Sequence, residues 1–246
     1  MLSKAQIKFI QSLQRNKFRS EYQQYIAEGA KIVPELIQAG AKIVQLYALP
    51  EWITQNSLLL EQHHLVAETI NTNELAKISA LAAPNQVLAV IAIPQYETNI
   101  APEGLSIALD AIRDPGNLGT LVRTADWFGV KRVYCSTDCV DLYNPKTVQS
   151  TMGSIARVEV VYTNLEVLFV SHPRVPVFAA DMQGKSLYET KMPDNGILLI
   201  GSESHGVSPV LLSLSQPITI PRFGDAESLN AAIAASIVLA WWRGNP

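Results

Sequence analysis

The residues with the clearest capacity for chemistry lie between positions 105 and 130. Residues 105–109 form a short apolar run that predicts a buried parallel strand. Residues 114–117 predict a turn, and the apolar spacing beyond it predicts a helix over residues 118–128. Backbone N–H groups at a helix N-terminus attract anions, and Arg123 lies close enough in the chain to act at the same pocket.

Two nucleotide-binding motifs share this strand, turn and helix order, and the glycine spacing argues against both. The dinucleotide motif GxGxxG needs two glycines one residue apart, whereas Gly116 is followed by Asn117, Leu118 and Gly119. A P-loop needs lysine directly after its last glycine, and Gly119 is followed by Thr120. Alone, the segment is equally compatible with an ordinary α/β connection.

Two later segments, residues 198–209 and 218–239, help to interpret the segment at residues 105–130. In this order, the three segments resemble the signature motifs of the SpoU (TrmH-like) branch of the SPOUT RNA methyltransferases. Three ordered motifs from residue 105 to the C-terminus are far more specific than any one of them. The resemblance implies an α/β domain with a parallel sheet and a deep trefoil knot, an exception to the rule that chains do not knot.

The resemblance also implies S-adenosylmethionine as the donor of a methyl group to a ribose 2′-hydroxyl of RNA. Gly201, Ile220 and Leu229 match the positions whose main chain contacts this cofactor. Glycine suits such a position because a backbone without a side chain can approach a ligand closely. The alternative is that Gly201 simply ends a strand and that Ile220 belongs to the core.

The catalytic positions of the family fall on Asn117, Arg123, Glu203, Ser228 and Asn230. Arg123 matches the arginine proposed to accept the hydroxyl proton, yet a guanidinium keeps its proton up to about pH 12. Whether Arg123 is a general base or a bidentate clamp for the substrate phosphate stays open. Asn117 and Glu203 are expected to orient other groups. Asn117 and Ser228 are also candidate N-caps of their helices.

Three residues depart from the family pattern. Ala232 stands where serine is usual and removes a hydroxyl contact, and Ser202 replaces a frequent asparagine. Arg222 replaces an apolar residue and offers a further phosphate contact. His205 is a candidate acid–base residue, but nothing in the family pattern requires it, so we interpret it as part of the loop.

The chain organisation predicts two domains joined by a linker. Alternating strands and helices predict a small α/β domain over residues 1–95, a linker over residues 96–104 and a methyltransferase domain over residues 105–246. The first domain resembles the substrate-binding domain of many SpoU enzymes, itself similar to ribosomal RNA-binding proteins, which implies RNA contacts at Lys17, Arg19 and Lys31. Predicted strands are residues 25–29, 43–48, 86–93, 105–109, 131–136, 158–161, 175–180 and 197–200, and predicted helices are residues 5–13, 30–39, 73–79, 118–128, 142–149 and 228–242.

Composition and charge limit the classes of protein to which this chain can belong. The 246 residues carry a formal net charge of −3, which is unusual for an RNA-binding protein, but residues 1–31 hold six basic and two acidic side chains. The two cysteines, Cys135 and Cys139, lack the partners of a zinc site and predict reduced thiols in a cytoplasmic protein. No apolar run is long enough for a membrane span, and the N-terminus lacks the apolar core of a signal peptide.

The predicted last helix is apolar on nearly every face, so it must be covered by its own domain or by a second subunit. The family resemblance implies the second, a homodimer through the C-terminal domain. Our leading hypothesis is therefore an RNA ribose 2′-O-methyltransferase, with ribosomal RNA favoured over transfer RNA as the substrate and transfer RNA left open. The alternative is an RNA- or cofactor-binding protein without methyl transfer, which the acidic net charge and Ala232 motivate.

Overall fold

The computed structural model describes residues 1–97 and 101–244. The chain divides into two compact units. Unit 1 comprises residues 1–95 and 141–156, and unit 2 comprises residues 96–140 and 157–246. Of the predicted linker, residues 98–100 lie outside the described residues. The sequence predicted a continuous second domain from residue 105, whereas residues 141–156 belong to unit 1.

Helices and strands alternate through most of the chain. The strands are β1 (Gln24–Glu28), β2 (Ile43–Ala48), β3 (Glu68–Thr69), β4 (Val87–Ala92), β5 (Leu105–Leu109), β6 (Arg132–Cys135), β7 (Glu159–Tyr162), β8 (Val177–Ser186), β9 (Gly196–Ile200) and β10 (Gln216–Thr219). The helices are α1 (Lys4–Ser12), α2 (Asn16–Tyr22), α3 (Ile32–Gln38), α4 (Pro50–Gln55), α5 (Ser57–Gln62), α6 (Thr72–Ile78), α7 (Pro115–Trp127), α8 (Pro145–Thr151), α9 (Leu165–Ser171), α10 (Pro209–Ser213) and α11 (Ala231–Gly244).

Unit 1 is built on a four-stranded mixed sheet with the order β1-β4-β2-β3. Strand β4 is antiparallel to both of its neighbours, and β3 runs parallel to β2. The core between sheet and helices is apolar and includes Ile10, Leu13, Ile26, Tyr47 and Leu88. Helix α8 joins this unit because Thr147, Val148 and Thr151 are buried and the helix packs against β1.

Arg19 shows why α2 forms where the sequence predicted a break. Its side chain is only 3% exposed and pairs with Asp141, with 3.0 Å between Nε and Oδ2. Its Nη1 also donates to the carbonyl oxygen of Leu13 at 2.8 Å. The predicted RNA contact at Arg19 is therefore not supported by its position, since the guanidinium is satisfied inside unit 1 rather than presented to solvent.

Unit 2 contains the predicted parallel sheet. Its six strands have the order β10-β8-β9-β5-β6-β7, and every neighbouring pair is parallel. The central strands β5 and β9 are buried throughout, as the continuous apolar runs predicted. Parallel pairing brings the carboxyl ends of these strands to one edge of the sheet, where ligands of open α/β sheets commonly bind.

The two helices nearest that edge begin at other residues than the sequence predicted. Helix α7 starts at Pro115, because proline is well suited to the first helical position and the Asp114 side chain caps the helix by accepting the Asn117 N–H at 2.8 Å. Helix α11 starts at Ala231. Asn230, not Ser228, caps it, with Oδ1 accepting the N–H of Ala232 at 2.9 Å.

Strand β8 is longer than predicted and its pairing with β10 is interrupted. Pro217 pairs with Ala179, but the next residue, Ile218, pairs with Lys185. Residues 180–184 are therefore skipped in the ladder and bulge away from β10. Beside the bulge, a Cβ on Gly184 would overlap the backbone of Ile218, so only glycine fits this close approach.

Both cysteines are free and buried, as predicted. A hydrogen bond with Cys135 lowers the pKa of the Cys139 thiol to about 7, and the same bond together with burial raises the pKa of Cys135. Within residues 1–97 and 101–244 there is no cluster of side chains suited to a metal ion. None of the helices in these ranges is both long enough and apolar enough to span a membrane.

Replacing Arg19 by alanine is expected to lower the free energy of unfolding by about 3 kcal/mol, because the carboxylate of Asp141 would lose its buried partner. Urea denaturation followed by circular dichroism measures this change. The matched control is Arg15→Ala, which removes an exposed arginine from the start of the same helix and should change stability by less than about 0.5 kcal/mol. Equal effects of the two substitutions would contradict the structural role of Arg19.

Candidate functional site

A cavity of about 560 Å³ opens at the carboxyl edge of the parallel sheet in unit 2. Its size falls within the range of about 300–1,000 Å³ that is usual for small-molecule sites. The bulge of β8, the end of β9, the end of β10 and the segment leading into α11 form its walls. Ile200, Ile218 and Ala231 are buried and make its apolar floor.

All three predicted cofactor-binding residues line this cavity, namely Gly201, Ile220 and Leu229. Two of the predicted catalytic residues, Glu203 and Ser228, line it as well. These five positions come from the second and third sequence motifs and are brought together by the pairing of β8 with β9 and β10. The structure thus assembles one pocket from segments that are distant in the sequence.

Gly201 is required by its surroundings. It begins a tight turn in which the Ser202 N–H donates to the Gly206 carbonyl at 3.1 Å and the Gly206 N–H donates back to Ser202 at 2.8 Å. A Cβ on Gly201 would overlap the backbone of Gly206 and Val207. The absence of a side chain therefore permits this turn, and Gly201 lines the cavity from it.

A closed set of hydrogen bonds joins one residue from each motif. The Nδ2 of Asn230 donates to Oδ1 of Asn117 at 3.0 Å and to Oε1 of Glu203 at 2.9 Å. The Nδ2 of Asn117 donates to the same oxygen of Glu203. We call these three residues the amide–carboxylate triangle. It fixes the start of α7, the turn after β9 and the start of α11 relative to one another.

Asp110, at the end of β5, was missed by the sequence analysis. Its carboxylate accepts the backbone N–H of Ser208 at 2.7 Å, and its side chain is largely buried. This bond ties the first motif to the far side of the turn after β9. An acidic residue that closes a buried parallel strand is a signal that could have identified it, because the carboxyl ends of such strands carry sites.

Arg123 does not join the triangle. Six residues beyond Asn117 on α7, it is rotated by about 240° around the helix and faces another direction. It is exposed, and no hydrogen bond or ion pair involves its side chain in the described part of the chain. Thr124, on the face of Asn117, instead packs toward α11, with 3.3 Å between its Oγ1 and the Oγ of Ser236.

The remaining candidate residues are exposed. Lys17 and Lys31 lie on the surface of unit 1, where an RNA contact stays a prediction. Arg222 lines the cavity, and its Nη1 lies 3.4 Å from the carbonyl oxygen of Ala226. His205 is exposed, its Nδ1 lies 2.7 Å from the Ser204 hydroxyl, and it is not among the residues that line the cavity.

The cavity also contains residues that the sequence analysis did not identify. Asp181, Met182 and Gln183 line it from the bulge of β8, where the Asp181 carboxylate accepts the Gln183 N–H at 2.8 Å. Phe223 lines it from the segment before α11. The bulge depends on which residues of β10 pair with β8, so no local sequence pattern predicts it.

Comparison with known proteins decides the family. Residues 104–240 match the model of the SpoU rRNA Methylase family. The chain belongs to the SpoU rRNA methylase family. Residues 4–89 match a second model, the MRM3-like substrate binding domain. The resemblance found from the sequence motifs is thus confirmed, and the trefoil knot expected of this domain follows from its fold.

Similar proteins match over nearly their whole length. A 23S rRNA (guanosine(2553)-2′-O)-methyltransferase of Bacillus subtilis is 28% identical, with 97% of this chain and 96% of that protein aligned. An RNA methyltransferase structure assigned to the TrmH family, from Porphyromonas gingivalis, is 35% identical with a TM-score of 0.88 over 99% of both chains. An AdoMet-bound rRNA methyltransferase structure from Sinorhizobium meliloti is 29% identical with a TM-score of 0.86, over 99% of this chain and 97% of that one.

The residues present fit S-adenosylmethionine, the AdoMet of the Sinorhizobium structure. Gly201 lines the cavity without a side chain, and the buried floor suits the apolar parts of such a ligand. The backbone at Ile220 and Leu229 lies on the same wall-forming segments. These three residues would hold the cofactor, with Glu203 and Ser228 beside it.

Replacing Gly201 by alanine is expected to weaken S-adenosylmethionine binding by at least tenfold, because the added methyl group displaces the backbone of the turn at Gly206. Isothermal titration calorimetry measures this affinity. Gly224→Ala is the matched control, since Gly224 lines the same cavity and a Cβ there meets no atom within 4 Å. Unchanged affinity in Gly201→Ala would argue against this turn as the cofactor site.

Proposed function

We propose that this protein is an S-adenosylmethionine-dependent RNA methyltransferase that methylates a ribose 2′-hydroxyl, with ribosomal RNA as its substrate. The observation that carries the proposal is the amide–carboxylate triangle, which joins the three motifs of the SpoU family at the mouth of one cavity. The relatives named above support the reaction and the choice of ribosomal RNA.

When bound, S-adenosylmethionine supplies an electrophilic methyl group. For the methyl group to pass to the 2′-oxygen, the hydroxyl proton would pass to solvent water and the ribose would have to be held at the mouth of the cavity. Glu203 lines the cavity and orients Asn117 and Asn230 beside it by accepting a hydrogen bond from each. In our proposal Glu203 is a positioning residue, and the amides of the asparagines hold the ribose.

Arg123 supplies the positive charge that the triangle lacks. Its guanidinium is exposed and unpaired in the described chain, so it is available to a substrate phosphate. A bidentate clamp matches the donor geometry of the guanidinium and uses it in its charged form, whereas a general base would first have to give up its own proton. The clamp is the assignment we favour, because positioning the phosphate also positions the adjoining ribose.

Unit 1 is the proposed RNA-binding part. Its match to a substrate binding domain supports this role, and Lys17 and Lys31 present exposed charges on its surface. The two free thiols are in keeping with a reducing compartment, so we place the protein in the cytoplasm as part of the proposal.

The second candidate is a protein that binds cofactor and RNA without methyl transfer. Ala232 favours it, since the residue follows the triangle where the family usually has serine. Ala232 is buried in the first turn of α11, so a hydroxyl there would point into the packing rather than add to an exposed site. Transfer of labelled methyl groups to RNA separates the two functions.

We also propose a homodimer through unit 2. Helices α7 and α11 pack side by side, and both carry large apolar side chains that are exposed in the single chain. Trp127 is 84% exposed and Ile233 is 52% exposed. Such side chains on two packed helices favour burial against a second copy.

Replacing Arg123 by alanine is expected to reduce methyl transfer to ribosomal RNA by about 100-fold or more, as is typical when a donor to a developing or bound anion is lost. Stability should change by less than about 0.5 kcal/mol because the exposed side chain makes no hydrogen bond or ion pair in the described chain. The control is Arg174→Ala, an exposed arginine before β8 at the opposite edge of the sheet, which should retain activity. Full activity of Arg123→Ala would contradict the assignment of this arginine to the substrate site. Undiminished methyl transfer by Asn117→Ala would likewise contradict the role of the amide–carboxylate triangle.

Replacing Trp127 by glutamate is expected to convert the dimer into a monomer, because a charge would be buried in the apolar contact. Sedimentation velocity measures the oligomeric state. Val167→Glu, on the exposed side of α9, is the matched control and should leave the dimer intact. A monomeric parent protein, or a Trp127→Glu variant that sediments as a dimer, would contradict the proposed interface.

A further inference from the structure

The rim of the cavity carries large apolar side chains that are left in solvent. Met182, Phe223 and Leu229 are 62%, 91% and 47% exposed, and all three line the cavity. A single exposed apolar side chain on a protein surface needs no explanation. Three around one opening are a different matter, because a ligand seated there would cover all of them and gain from doing so.

Phe223 stands out within this group. It is more exposed than any other cavity residue of large apolar type, and in the described chain no other aromatic residue lines the cavity. It lies on the exposed segment between β10 and α11, which the contact of Arg222 with Ala226 bends back on itself. The ring therefore stands at the mouth, whereas the buried floor is formed by Ile200 and Ile218.

We propose that Phe223 is the stacking platform for the base of the nucleotide whose ribose is methylated. The inference rests on the proposed function and names a further residue of the substrate site. A ribose held beside Asn117 and Glu203 has its base attached by one bond, so that base must also lie at the mouth of the cavity. Bases that are recognised individually in RNA are unstacked from their neighbours and placed on aromatic side chains.

The place of Phe223 in the cavity distinguishes base stacking from cofactor binding. The candidate cofactor residues include Gly201, whose backbone faces the interior beside the buried floor. Phe223, at 91% exposure, is too far into solvent to form part of that enclosed region. Its face is open on the side from which RNA must arrive, and stacking does not require a particular base, so the platform fits any target nucleotide.

The test compares Phe223→Ala, Phe223→Leu and Phe223→Trp in the full-length protein, with ribosomal RNA from cells lacking the protein as methyl acceptor. Loss of one stacked base is expected to lower kcat/KM for RNA by about tenfold or more in the alanine variant. Leucine keeps an apolar side chain but no ring face, so it should not restore activity, whereas tryptophan should restore it to within about threefold. S-adenosylmethionine affinity, measured by calorimetry, should stay unchanged in all three variants.

Tyr188→Ala is the control, because Tyr188 is a half-exposed aromatic residue of unit 2 that does not line the cavity. It should leave kcat/KM unchanged. Three results would overturn the proposal: weaker S-adenosylmethionine binding in Phe223→Ala, which makes the ring part of the cofactor site; full activity in Phe223→Leu; or a shift to monomer in sedimentation, which makes Phe223 a contact between copies.

The failure of this inference is distinguishable from failure of the proposed function. A parent protein that transfers no methyl group refutes the function, and filter binding of the same RNA then decides on Phe223 without turnover. Weaker RNA binding by Phe223→Ala, with recovery in Phe223→Trp, supports the platform in that case. Equal RNA affinity of the parent protein and Phe223→Ala would contradict the proposed stacking role of Phe223.

Discussion

One carboxylate oxygen organises the active half of this protein. Oε1 of Glu203 accepts hydrogen bonds from the side-chain amides of Asn117, in the first turn of α7, and Asn230, which caps α11. These groups are partly or fully exposed, so each bond stabilises the fold by only about 1 kcal/mol. Their value is positional. A shared acceptor allows neither amide to rotate without losing a bond, and the mouth of the cavity keeps its shape without a ligand.

The cavity itself exists because the backbone departs from regular pairing. Where β10 changes its register against β8, residues 180–184 leave the ladder and open a wall. The departure depends on close approaches that only glycine permits, at Gly184 beside Ile218 and at Gly201 beside Gly206. The same crowding of chain segments therefore defines both the fold of unit 2 and the space for a ligand, and a methyl group at either glycine disturbs both.

Much of the secondary structure could be predicted because its causes are local. The buried strands β5 and β9 follow from continuous apolar runs, and the parallel sheet follows from the alternation of strands with helices. The predicted secondary structure was wrong where a contact between distant residues determines the local conformation. Helix α2 depends on the pairing of Arg19 with Asp141, 122 residues away, and β10 contains a proline and pairs irregularly. Helix α7 starts early because Asp114, not Asn117, is its cap.

The site was predictable only through the order of its motifs. Asn117 and Asn230 lie 113 residues apart, and no periodicity in the chain indicates that their side chains meet. Family motifs supply that information for Gly201, Glu203 and Asn230, but they carry none for Asp110, Asp181 or Phe223. Those residues become candidates only when the carboxyl edge of the sheet, the bulge of β8 and the exposure of a ring are known.

The separation of Arg123 from the triangle bears on the acidic net charge of −3. A guanidinium bound permanently to Glu203 would be neutralised and would no longer be available to a polyanionic substrate. Glu203 instead accepts from two amides, and Arg123 stays unpaired in the described chain on another face of α7, while Arg222 lines the cavity. In the proposed clamp, a phosphate of the RNA orders the exposed Arg123 side chain. Part of the free energy of RNA binding is then used to complete the active site rather than to increase affinity for RNA of any sequence. A protein that recruits its charge in this way does not need a basic surface as a whole, and the exposed lysines of unit 1 can serve as a local patch.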